Sequence, residues 1–123
     1  MEMTTSPEEI AKAYVTAWEN AWNNEGVEAT VKLYAPDSVL VGFVTAIGRT
    51  EIANLLGGIF AQGWTKIKIK VTNAREISGL ILVANEYSAF GSGSNEGKTL
   101  DAKSSHVLAL LDGSWVSVMH TAT

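Results

Sequence analysis

The 123-residue sequence contains no cysteine, which excludes disulfides, thiolate metal sites and a cysteine nucleophile and leaves the redox compartment open. Bases are scarce, nine against thirteen acids, for a net charge of −4. A nucleic-acid binder would show a basic patch. The one local run of bases, Lys66, Lys68 and Lys70, alternates with Ile67 and Ile69 and reads as the solvated face of a strand. No apolar run reaches the ~20 residues of a membrane span. Met1-Glu2-Met3-Thr4 is acidic and no apolar segment follows it, so neither a secretory signal nor a membrane partner is expected. Cytoplasmic is the default expectation. GxSxG, HExxH and a Walker lysine are all missing. Gly91-x-Gly93 is followed by Gly97, one residue too late for a dinucleotide fingerprint, and it lies between strands. Nothing calls for a cofactor or a metal.

What is present is apolar: 46% of residues are hydrophobic and 18% charged, enough for one domain with a single core. The organising stretch is Ala21 to Val44. Asn23, Asn24, Glu25 and Gly26 are turn and cap residues, and Gly26 can adopt the positive φ that ends a helix. Val27, Val31 and Tyr34 are spaced as one face of a short helix, and Pro36 pushes Ala35 out of helical geometry. A strand over Ser38 to Val44 follows, apolar on both faces and so covered on both.

Upstream, Ser6-Pro7-Glu8-Glu9 is a capping box with proline at the first helical position. Ile10, Ala13, Tyr14, Ala17, Trp18, Ala21 and Trp22 occupy the wide apolar side of the helix it opens. Tyr14, Trp18 and Trp22 make a stripe of rings, as core packing would, and three in line also suit a cavity wall. A third helix is expected from about Thr50 to Gln62. Its Gly57-Gly58 pair suggests close approach to the sheet or, less readily, to a ligand. From Trp64 the period becomes two. Strands are expected at Ile67 to Val71, Leu80 to Phe90, Lys98 to Leu111 and Trp115 to Thr121, with turns at Ser78-Gly79 and Asp112-Gly113 and a flexible loop over Gly91 to Gly97. Helices followed by hairpin-linked strands predict an α+β domain, with an antiparallel sheet and the helices on one face.

Four segments carry a resemblance: Ala21-Trp22-Asn23, Leu33-Tyr34-Ala35-Pro36-Asp37, Gly48-Arg49 with Ile52, and Met119-His120-Thr121. Together they resemble the NTF2-like superfamily over nearly the whole chain, in its SnoaL-like and SgcJ/EcaC-type (DUF4440-like) flavour. The resemblance implies a cone, with a curved sheet wrapped around three helices and an apolar pocket inside. It implies a small apolar ligand and a binding protein or cofactor-independent enzyme, with a non-catalytic dimerisation module as the alternative. The superfamily's ketosteroid isomerases use a base aspartate with tyrosine and a protonated aspartate. Gly42, Trp18 and Ser105 stand at those positions here, so that chemistry is not expected.

Laid on the cone, the resemblance makes Tyr14, Trp18, Phe43, Phe60, Trp64, Asn85, Tyr87 and Ser105 the ligand-binding candidates and His120 the acid–base candidate. Arg49 would be structural, tied to an acid such as Asp37. The carried-over sheet orientation turns Asn85, Tyr87, Ser105, Val107 and Ala109 toward the helices, and Glu86 and His106 away. Leu100, Ala102, Leu108 and Leu110 would then form an outer apolar face through which a homodimer assembles.

Overall fold

The computed structural model describes residues 5 to 122; the segment Met1 to Thr4, read above for a targeting signal, lies outside the described residues. Ser6 caps helix α1 (Pro7–Asn20) as expected: its hydroxyl accepts from the Glu9 amide, and the Glu9 carboxylate accepts from the Ser6 amide. Buried positions on α1 are Ala11, Tyr14, Val15 and Trp18, whereas Ala13 and Ala17 are exposed. The apolar side is narrower than the residue pattern implies. The helix runs into a single π turn (Ala21–Glu25), closed by the Gly26 amide on the Ala21 carbonyl at 2.7 Å. Gly26 sits at φ 105°, conformational space that side chains disfavour.

Helix α2 (Val27–Val31) is one turn, and Tyr34 already belongs to strand β1 (Tyr34–Val41), not to the helix face. Strand β2 (Thr45–Ile47) leads into helix α3 (Gly48–Ala61), and then come β3 (Trp64–Ile77), β4 (Leu80–Gly91), β5 (Thr99–Leu111) and β6 (Ser114–Ala122). Ser78-Gly79 and Asp112-Gly113 both have positive φ at two successive residues, the hairpin geometry that matches strand twist. The expected flexible loop is instead a 3₁₀ turn (Gly93–Asn95) pinned to the end of α3: Ser92 donates from its amide (2.7 Å) and hydroxyl (3.0 Å) to the Gly63 carbonyl.

One six-stranded sheet results, in the order β2-β1-β6-β5-β4-β3. It is mixed: β1 lies parallel to β6, and the remaining pairings are antiparallel. The helices cover its concave face, with Tyr34, Ile52, Ile81 and Leu108 among the fully buried side chains. The edge strand β3 is not left open. The Asn23 side chain accepts from the Ile67 amide (2.7 Å) and donates to its carbonyl (2.9 Å), and Glu19 accepts from the Ile69 amide (2.8 Å). The end of α1 thereby takes the place of a neighbouring strand. Losing both Asn23 bonds leaves a half-buried edge unpaired, so Asn23→Ala should cost about 1–3 kcal/mol in a urea melt and speed exchange of the Ile67 amide.

Strand β5 presents the opposite faces from those expected. Ile81 pairs with Leu108, Val83 with His106, Asn85 with Ser104 and Tyr87 with Ala102, so odd residues of β4 face even residues of β5. His106 and Leu108 are buried inside, and Ser105, expected in the pocket, is exposed on the convex face with Val107 and Ala109. A one-residue change of register exchanges a strand's whole set of faces. The apolar set Leu100, Ala102, Leu108 and Leu110 is therefore not an outer dimer surface.

Candidate functional site

Between the helices and the sheet lies a cavity of about 570 Å³. Trp18 and Trp22 wall it from the first helical segment; Leu55, Leu56, Gly58 and Ile59 from α3; and Leu40 and Gly42 from β1 and its turn. Trp64, Ile67 and Ile69 of β3, Tyr87 and Ala89 of β4, Leu100 of β5 and Ala122 of β6 continue the apolar lining. The fully exposed Phe43 stands at the rim with Asn54 and Gln62, while Trp18, Trp22, Leu40 and Leu56 are buried. Among the described residues no Asp, Glu, Lys or Arg lines the cavity.

The polar end is built from three strands. His106 of β5 and His120 of β6 are directly paired, and their rings stack with centroids 4.0 Å apart and planes 21° apart. His120 Nδ1 lies 2.7 Å from the Tyr34 hydroxyl, which accepts from Trp18 Nε1 at 3.0 Å. His106 Nδ1 lies 2.9 Å from Ser117 Oγ, and that hydroxyl donates to the Met119 carbonyl at 3.1 Å. Ser117 and His120, three residues apart, both face inward because β6 carries an extra residue opposite Val107 and Leu108, a β-bulge. Burial holds His120 down to about 4 and His106 well below the ordinary histidine value, the latter helped by the neighbouring imidazole. Both rings are neutral at pH 7. Burial also raises the Tyr34 and Tyr14 hydroxyls, so the surrounding groups stay uncharged too.

Of the residues expected from sequence, Trp18, Phe43, Trp64, Tyr87 and His120 line the cavity. Tyr14 and Phe60 stand behind the wall. The Tyr14 hydroxyl donates to the Leu33 carbonyl (2.9 Å) and its ring meets His106 edge-on at 5.1 Å; Phe60 packs edge-on against Trp22 at 5.2 Å. Asn85 is buried behind Ser104, Nδ2 to Oγ 3.4 Å, with no partner for Oδ1 among the described residues. Ser105 is outside altogether. Sequence reasoning missed His106, Ser104 and Trp22 as lining residues and Tyr34 as the group that orients His120. The aromatic stripe already contained Trp22, but only the strand register reveals His106.

Arg49 is structural as expected, though its partner is the Tyr34 carbonyl (2.9 Å), not Asp37. The Gly57-Gly58 pair does not meet the sheet: a Cβ at either position would touch nothing within 4 Å. Gly58 lines the cavity, so the missing side chain leaves room there. Gly57→Ala should raise stability by about 0.5–1 kcal/mol in chemical denaturation, as helix propensity dictates. Among the described residues no group of three or more His, Cys, Asp or Glu could hold a metal ion, and no helix is long and apolar enough to cross a membrane.

No protein-family model matches the chain, and no curated protein matches it. Solved structures do. A domain of unknown function with a cystatin-like fold from Nostoc punctiforme superposes with a TM-score of 0.80 at 22% identity, over 98% of this chain and 78% of that one. An NTF-2-like protein of unknown function from Shewanella oneidensis gives 0.80 at 14% identity, over 94% and 98%. A protein with a ketosteroid isomerase-like fold from Catenulispora acidiphila, solved in complex with trimethylamine, gives 0.65 at 20% identity, over 97% and 86%.

Proposed function

With the NTF2-like fold as the premise, we propose that the cone cavity receives a small, uncharged, largely apolar molecule, held by the aromatic wall and met at its buried end by His120 and His106. The observation that carries this reading is the composition of the lining: about 570 Å³ bounded mainly by aromatic and aliphatic side chains, with no formal charge among the described residues. Sites of this size that are mostly apolar with a few convergent polar groups are the usual form of small-molecule pockets. A carboxylate or ammonium ligand would lose its hydration with no opposite charge to replace it.

If the site is also catalytic, it works without a charged side chain in contact with the ligand, and His120 is the acid–base group. Its imidazole is oriented by Tyr34 and is neutral at physiological pH. Steroid isomerisation through paired aspartates has no support here, since no carboxylate among the described residues lines the cavity. The SnoaL-like and SgcJ/EcaC-type resemblance, whose Met119-His120-Thr121 segment supplies the histidine, predicts that His120→Ala sharply reduces whatever turnover is found.

The test is a thermal-shift comparison of neutral aromatic compounds with their carboxylate analogues. Saturating a site to a hundred times its Kd adds about 2.7 kcal/mol, a rise on the order of 10 °C for a domain this size. A rise with the neutral compounds only is the expected result; equal rises with the anions, or none with either, would refute the reading.

The second reading, a homodimerisation module, is favoured by the convex face. Val39, Met119, Val107 and Leu82 follow one another across four paired strands, and Met119 is 40% exposed. A contiguous apolar row of this kind is best covered by a second copy. Light scattering should then show a dimer that Val107→Glu converts to a folded monomer, whereas a monomeric unmodified chain would dispose of this reading.

A further inference from the structure

Proton accounting at the buried end of the cavity fixes more than its polarity. The Tyr34 hydroxyl accepts from Trp18 Nε1–H, and among the described residues the one acceptor within reach of its own proton is His120 Nδ1, 2.7 Å away, so the proton goes there. His120 is thereby the tautomer with its hydrogen on Nε2. Ser117 Oγ spends its proton on the Met119 carbonyl, so it accepts from His106, whose hydrogen is on Nδ1. His106 Nε2 then carries a free lone pair. Two stacked rings that look equivalent are held in opposite tautomers by different partners. Neither Nε2 is engaged by another group among the described residues, and both rings border the cavity.

We propose that His106 and His120 form a matched acceptor–donor pair that selects ligands carrying a hydrogen-bond donor and acceptor side by side on one neutral edge, as in a lactam or cis-amide. This rests on the ligand-binding reading above and deepens it. His120 Nε2–H donates to the ligand's carbonyl oxygen, and His106 Nε2 accepts from its N–H. A ligand offering two acceptors would face the His106 lone pair, and one offering two donors would face the His120 N–H; each leaves a buried group unpaired, the costly outcome. The order cannot readily reverse, because moving both hydrogens would leave the buried Tyr34 proton without an acceptor.

The probes are 2-quinolinone, its N-methyl derivative, which lacks the donor, and naphthalene, which lacks both groups. Tryptophan fluorescence reads binding, since Trp18, Trp22 and Trp64 line the cavity. The expected result is that 2-quinolinone binds at least tenfold more tightly than either comparison compound. His120→Phe and His106→Phe should each remove that preference while changing naphthalene affinity less than threefold. Nitrogen-resolved NMR of the unmodified chain gives a reading that needs no variant to fold: one histidine hydrogen on Nδ1 (His106) and one on Nε2 (His120). Equal affinity for the three compounds, or the same tautomer at both rings, would overturn the pair as a selector and leave the cavity reading intact. No saturable binding of any of the three would overturn both.

Discussion

Leu108→Glu is expected to prevent folding at 25 °C, leaving a far-UV spectrum of a disordered chain. Leu108 is fully buried on the concave face, opposite Ile81 and in the same cluster as Trp18, Tyr34 and Ile52. Truncating such a leucine to alanine already costs about 2–5 kcal/mol. A carboxylate there has no hydrogen-bond partner and adds a desolvation penalty of several kcal/mol more, which together consume the 5–15 kcal/mol by which domains are stable. Val107→Glu, one residue earlier and on the convex face, should fold. The pair reads the face assignment directly. A folded Leu108→Glu protein beside an unfolded Val107→Glu would mean that β5 runs in the opposite register.

Acidification should destabilise the domain well above the pH at which carboxylates are usually lost. An unfolded histidine titrates near 6.5, and burial holds His120 in the folded domain down to about 4. Between those values the unfolded chain binds a proton that the folded chain refuses, so stability falls as pH drops through the window and is fully present above it. At about 1.4 kcal/mol per pH unit, His120 alone removes roughly 3 kcal/mol by pH 4. His106 is shifted in the same direction and steepens the decline. Urea melts between pH 7 and 5 read the effect above the range in which the Glu9 carboxylate, lowered by its bonds to Ser6, takes up its proton. His120→Gln should flatten the slope by close to one proton. A stability flat from pH 7 to 5 would show that neither imidazole is buried neutral.

Much of this architecture was legible in the residues. The capping box at Ser6, the two hairpin turns, the lysine face of β3 and the aromatic stripe of α1 are local signals, each decided within a few residues. The fold class followed from their order. What escaped was set by pairing over distance. Which residues of β5 face inward depends on the loop after Gly91, whose pinned turn makes Phe90 pair with Thr99 and sets odd against even. Alternation along β5 alone cannot decide this, because both of its faces are semi-apolar. The bulge in β6 is equally invisible to a period-two reading, yet it turns both Ser117 and His120 inward. The histidine pair, and with it the polar end of the site, exists only once both registers are set. Val15 and Ala11 were passed over for the opposite reason, since their burial reflects how α1 rolls on the sheet and not any local pattern.

Gly58 offers the most direct test that the cavity is a binding chamber. A side chain there enters open space along the lining, and any residue other than proline suits the helix better than glycine. Gly58→Phe should therefore fold at least as stably as the unmodified chain while filling the space a ligand needs. Titration with the neutral fluorophore N-phenyl-1-naphthylamine is predicted to show saturable one-to-one binding to the unmodified chain and at least a tenfold weaker affinity for Gly58→Phe. Identical titrations for the two folded proteins, or no saturable signal from the unmodified chain, would contradict it.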